Sequence, residues 1–258
     1  MLKELKELWL IIKKLDRKIV IIFLAVAILQ TFSWYITSRR FFRYNYFESM
    51  QSNPNIFLYE YFYWFAGDFI TLFLLPVLII KILLKERISD YGLRIGDYKT
   101  GLKYSLLFLA VMIPIIWFVS SGSEFSQTYP QLNDVKYSWN LFLIFEAGIL
   151  LYMVAWEFIW RGFMLFGLKP RFGYYTVLFQ MIPFVILHNG KPAIETIGAI
   201  VAAIALGILA LRTRSILYCI ITHAGVMFCI DLISVLRYRT NEYGTGIDSL
   251  FKILKAFL

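Results

Sequence analysis

Residues 140–168 read NLFLIFEAGILLYMVAWEFIWRGFMLFGL. The stretch exceeds the ~20 apolar residues that a helix needs to cross the hydrocarbon core of a bilayer. Its only charged side chains are Glu146, Glu157 and Arg161. An ionisable group at membrane depth is costly and marks a pairing or functional position. The segment therefore reads as a membrane helix with polar chemistry embedded in it.

Similar runs flank it at roughly 19–37, 56–84, 103–119, 175–189, 193–211 and 215–236. The expected fold is all-α: a polytopic bundle of about seven transmembrane helices, with surface helices at the termini. The run at 175–189 is the shortest and fits a tight hairpin with the next. Composition agrees. Hydrophobic residues make up 60% of the 258, above the ~45–50% of soluble domains, and mean hydropathy is +0.67. Aromatics at 19% suit headgroup-level Tyr and Trp. No 20–50-residue repeat is visible, so residues 19–258 read as one transmembrane domain.

The start, MLKELKELWLIIKKLDRK, places Leu2, Leu5, Leu8, Leu10, Ile12 and Leu15 among Lys3, Lys6, Lys13, Lys14, Arg17 and Lys18. No small-residue cleavage site follows, so it does not read as a signal peptide. Residues 1–18 are expected to form a basic amphipathic helix on a membrane surface. The tail GIDSLFKILKAFL, too short and charged to span, is expected to be a second surface helix. The formal net charge of +9 sits in loops between apolar runs. It points to membrane orientation and the lipid bilayer as partner, and no basic soluble patch suggests nucleic acid. Lysine and arginine are dense in the N-terminal arm and at 81–103, and sparse at 120–139. A cytoplasmic N-terminus follows, with a bacterial cytoplasmic membrane as the expected location. Arg39, Arg40 and Arg43, and Arg237 and Arg239, fit that orientation poorly. Cys219 and Cys229, about 15 Å apart along one helix, are expected to be packing residues.

The sixth run repeats small residues at Gly198 and Ala202, then at Ala203 and Gly207, which allows close helix approach. Asp68 reads as a helix-pairing residue without an evident partner. The only two histidines, His188 and His223, both fall in apolar runs. Measured from Lys169, Tyr175 and Arg214, the residues Glu157, His188 and His223 lie about 18, 20 and 14 Å into the membrane from one side. Shared depth predicts a shared site. Glu157 and Arg161, four apart, share a helix face and can pair. Glu146 lies about 16 Å from Glu157, too far to join it directly, and Asp231 lies about 12 Å from His223. The corner HNGKPAIE adds Asn189, Lys191 and Glu195 as polar neighbours.

These residues resemble the CAAX protease and bacteriocin-processing family of intramembrane proteins, also called the ABI family, which includes type II CAAX prenyl endopeptidases. Trp156 to Gly162, WEFIWRG, is similar to its EExxxR(G) motif. Phe184 to His188 matches FxxxH, and His223 to Met227 resembles HxxxN or HxxxD. The loop YGLRIGDYKTGL is also similar. The likeness covers about 140–236. It implies hydrolysis of a peptide bond in a membrane-associated peptide or protein substrate, with Glu157 and His188 activating water and His223 stabilising the oxyanion. It implies no cofactor and no resident metal. Two positions depart: Trp156 stands where the first glutamate is expected, and Met227 where an amide or acid is. Asn189 and Glu195 are the nearest residues able to compensate. Arg161, Asn189, Glu195 and Asp231 are thus supporting candidates. Two alternatives remain open: an inactive relative that binds a peptide or protein partner, and a zinc site built from His188, His223 and a glutamate.

Overall fold

In lipid, a backbone must satisfy its own N–H and C=O groups, so long apolar runs coil into helices. The computed structural model describes residues 2–257, and among these there is no β-strand. Helix α1 spans Leu2–Lys13 and α2 spans Arg17–Phe32. Asp16 caps α2, its carboxylate accepting from the Lys18 and Ile19 amides, which satisfies two of the free donors of a helix start. A wide π-helical turn at Ser33–Thr37 leads to α3, Arg39–Asn45. Helix α4, Ile56–Phe69, continues through mixed π and α turns to Leu84. Helix α5 covers Tyr98–Val119, capped by Asp97, and α6 covers Trp139–Glu157, capped by Ser138.

From Phe158 to Phe166 the chain widens into a nine-residue π-helix, and all nine side chains are buried. An α-helix resumes over Gly167–Phe172. Gly173, at φ 56° and ψ −134°, then turns the chain, using a region of backbone space open to glycine. Helices α7 (Thr176–Ile186), α8 (Ala193–Thr213), α9 (Leu217–Thr240) and α10 (Ile247–Phe257) follow. The buried π segment lies at the centre, packed against α2, α6, α7 and α8. Helix α9 runs along α5 and α6. In the α1 stripe, the side chains of Leu2, Lys3 and Leu8 lie outside the described residues, as do Met1 and Leu258.

Six described helices are long and apolar enough to span a membrane: Arg17–Asn45, Ile56–Leu84, Tyr98–Val119, Trp139–Ile186, Ala193–Thr213 and Leu217–Thr240. The expected run at 175–189 is not a separate member of that set: it forms α7, 11 residues long, and is counted together with the preceding run in Trp139–Ile186, the two joined at the Gly173 turn.

The small-residue pattern on α8 divides. Ala203 and Gly207 are buried, and Gly207 faces Gln180 and Val177 of α7. Gln180 donates to the Ala203 carbonyl at 2.9 Å. Gly198 and Ala202 are exposed, and Gly198 has open space around it. Only one of the two small pairs therefore serves helix contact. The arginines that fitted the orientation poorly have protein partners. Arg39 and Arg43 reach the buried Glu60 at 2.6 and 2.9 Å. Arg237 donates to the Trp117 carbonyl and the Ser120 hydroxyl, and Arg239 to the Lys136 carbonyl. Asp68 accepts from Thr37 and from the Trp64 indole. Cys219 and Cys229 are free thiols on α9.

Candidate active site

Glu157 is the last residue of α6 and Arg161 lies within the π-helix that follows. Both side chains are fully buried. A π-helix admits an extra residue per turn and often occurs at functional sites. The Arg161 Nη1 donates to Glu157 Oε1 at 3.0 Å. His223, from α9, meets the same oxygen through Nδ1 at 2.6 Å. A carboxylate only accepts, so Nδ1 carries the hydrogen. Glu157 Oε2 is buried and has no protein hydrogen-bond partner. Neither do Arg161 Nε and Nη2, nor the Trp160 indole nitrogen. A buried polar atom without a partner costs about 1–3 kcal/mol. Such atoms concentrated in one place call for an explanation, a functional role among them.

His188 follows the end of α7. Its Nδ1 lies 2.7 Å from the Phe184 carbonyl oxygen. That oxygen only accepts, so Nδ1 is the donor and Nε2 keeps its lone pair. Phe184 links the parts. Its ring is 4.5 Å from the His188 ring and 6.0 Å from the His223 ring, and the Arg161 guanidinium sits over it at 4.1 Å. His188 makes no hydrogen bond to Glu157 or His223 and is linked to His223 and Arg161 through the Phe184 ring. Trp156 is buried among Tyr152, Trp160 and Phe184, with its ring 6.2 Å from that of His188. Met227, one turn beyond His223, is also buried. Among the described residues, no group of three or more His, Cys, Asp or Glu side chains is arranged to hold a metal ion.

The other candidates form a separate layer. Asp231 is fully buried and pairs with the Glu146 carboxyl across the α6–α9 contact. Both Glu195 oxygens face the Tyr129 hydroxyl at 2.7–2.8 Å, and Lys191 donates to that hydroxyl at 3.1 Å. Burial, with Glu195 beside it, pushes the Tyr129 phenol up. Burial lowers the Lys191 ammonium from its usual value, against the pull of Glu195. Asn189 is exposed in the corner. Thus Glu157, Arg161 and His223 are brought together, with His188 joined to them through Phe184. Glu195 is occupied by Tyr129, and Asp231 is placed with Glu146. Reading the sequence missed the aromatic wall of Tyr152, Trp156, Trp160 and Phe184, although their i, i+4 spacing from 152 to 160 marks one helix face.

The helical bundle thus holds a buried carboxylate, two histidines and a bracing arginine within one region of its interior. Residues 137–229 match the family model described as type II CAAX prenyl endopeptidase Rce1-like. The matched segment contains all three motifs and ends before Asp231. Neither the curated proteins nor the solved structures give a match.

Proposed function

We propose that the chain is an intramembrane endopeptidase that cuts a peptide bond of a membrane-associated substrate with water activated by Glu157 and His188. The observation that carries this reading is the division of labour at Glu157. One oxygen is held by Arg161 and His223, while the other, buried, has no protein partner. In the proposed reaction, water sits between Glu157 Oε2 and His188 Nε2, donates one hydrogen bond to the carboxylate and loses its other proton to His188 Nε2, which stores it. Its oxygen attacks the scissile carbonyl carbon as the carbonyl π electrons move to oxygen. His223 in its imidazolium form presents Nε2–H to this oxyanion, and the Glu157 carboxylate stabilises the cation from the Nδ1 side. When the tetrahedral species collapses, the C–N bond breaks and the stored proton passes to the leaving amine. Arg161 positions Glu157. The scheme uses no metal ion and needs no direct contribution from Asn189, Glu195 or Asp231.

The test is cleavage of a membrane-tethered fluorogenic peptide by purified protein in liposomes. Glu157→Gln, His188→Ala and His223→Ala should each lower kcat/KM by at least about 10²-fold, the usual contribution of a general base, with folding preserved. Full activity in His188→Ala would sink the proposal. Burial of Trp156 and Met227 at the two departing positions favours a second reading, a relative that binds a peptide or protein partner without cutting it. Retained peptide binding by wild-type protein with no turnover would establish that reading instead.

A further inference from the structure

A second concave site lies at the opposite end of these helices from the His188 corner. It is a cavity of about 730 Å³, within the usual range for a small-ligand site. Four cations line it: Arg94, Lys169, Arg212 and Arg214. Asp97 neutralises one of them, through a 3.1 Å pair with Arg212. Among the described residues, neither Lys169 nor Arg214 has an ion-pair partner. The end of α8 at Thr213 and the start of α5, capped by Asp97, both border it, and their half charges are of opposite sign. Four cations against Asp97 leave roughly three units of positive charge.

The walls are fixed in advance. The Asp97 amide donates to the Thr213 carbonyl at 3.0 Å, and the Ser215 hydroxyl donates to the Arg94 carbonyl. Arg94 Nε donates to the Arg214 carbonyl at 2.9 Å. Arg214 itself has φ 55°. This left-handed helix end is one that glycine fills without strain and arginine does not. A guanidinium at a site where glycine would fold more easily argues that the side chain is used.

Beside the cations the cavity is apolar. Ile208 forms part of its wall, and Ile197, Val201 and Ile208 make an exposed stripe along one face of α8. From Ile197 to Ile208 the stripe runs about 16 Å, close to half of the ~30 Å hydrocarbon core. We propose that this cavity binds the phosphate headgroup of an anionic phospholipid, with an acyl chain lying along the Ile197–Ile208 stripe. Guanidinium groups suit phosphate oxygens by their fork geometry. The stripe gives a lipid apolar contact that a free anion would not use.

The experiment is native mass spectrometry of the full chain in detergent, titrated with phosphatidylglycerol, phosphatidylcholine or inorganic phosphate. Phosphatidylglycerol should bind at least tenfold more tightly than phosphatidylcholine, and millimolar phosphate should not displace it. Lys169→Gln and Arg214→Gly should each weaken phosphatidylglycerol about fivefold, the usual effect of one cation near a lipid surface. Arg214→Gly also relieves the strained backbone, so misfolding does not account for its loss. Lys99→Gln, outside the cavity, should change nothing. Equal binding of the two lipids, displacement by phosphate, or unchanged binding in the Lys169→Gln/Arg214→Gly double variant would each overturn the proposal.

Discussion

At the scale of single residues, the burial of Arg161 beside Glu157 is the feature with the largest energetic consequence. Removing one member of a buried ion pair leaves the other charge uncompensated, at a cost of about 3–5 kcal/mol. Arg161→Met should therefore destabilise the protein by about that amount, read as a lowered unfolding midpoint in detergent. Glu157→Gln keeps an acceptor but removes the counter-charge of a guanidinium that stays charged, so its cost should be comparable. An unchanged midpoint in Arg161→Met would contradict the pairing. Glu157 with Arg161 was legible in the sequence, since four-residue spacing on a helix fixes proximity. Glu157 with His223 was legible as common depth. Asp231 with Glu146 was not, because it depends on how α6 and α9 are rotated against each other, and no local pattern encodes that. Glu195 was expected near His188 by proximity in the chain. Its partner instead is Tyr129, distant in sequence.

At the scale of elements, helix contacts depend on where side chains are missing. Gly101 of α5 lies against the Tyr218 ring of α9, so closely that any Cβ would collide with the ring. Gly101→Val should push α5 off α9 and cost about 1–3 kcal/mol, the usual range for overpacking. Gly198→Val on α8 meets nothing and should be near neutral. Thermal unfolding of both variants side by side checks the contrast. Sequence spacing ranked Gly198 and Gly207 alike, because a small-residue period shows that a face can be approached, not whether a neighbour uses it. The π-helix from Phe158 was equally hidden. Its wider turns change hydrogen bonding while leaving an apolar run that reads as an ordinary span.

At the scale of the whole molecule, the six apolar spans and the match to the Rce1-like family model make this an integral membrane protein. We place the N-terminus in the cytoplasm and α1 on the membrane surface, from the density of Lys and Arg in that arm and at 81–103. Single reporter cysteines at Lys99 and Gln127 test the orientation, with Cys219 and Cys229 replaced by alanine. An impermeant maleimide applied outside intact cells should label position 127 and spare position 99. The reverse pattern would invert the topology. The fold class was readable because hydrocarbon permits so few backbone solutions. The division into separate spans was less legible, because α7 is short and joins the preceding helix in one long apolar stretch, Trp139–Ile186.

The single oxygen shared by Arg161 and His223 has one more consequence, in the arithmetic of double variants. Each donor stabilises the same negative charge, so loss of either one alone exposes it to an environment that cannot solvate it. Loss of both need not double the penalty. A carboxylate deprived of every donor takes up a proton and becomes neutral, and the free energy of that neutralisation is a ceiling on the total. The Arg161 and His223 contributions are therefore sub-additive, as contacting residues in one network often are. Stability lost at one of these positions then makes the other more tolerant of change, although the two lie on different helices and more than sixty residues apart.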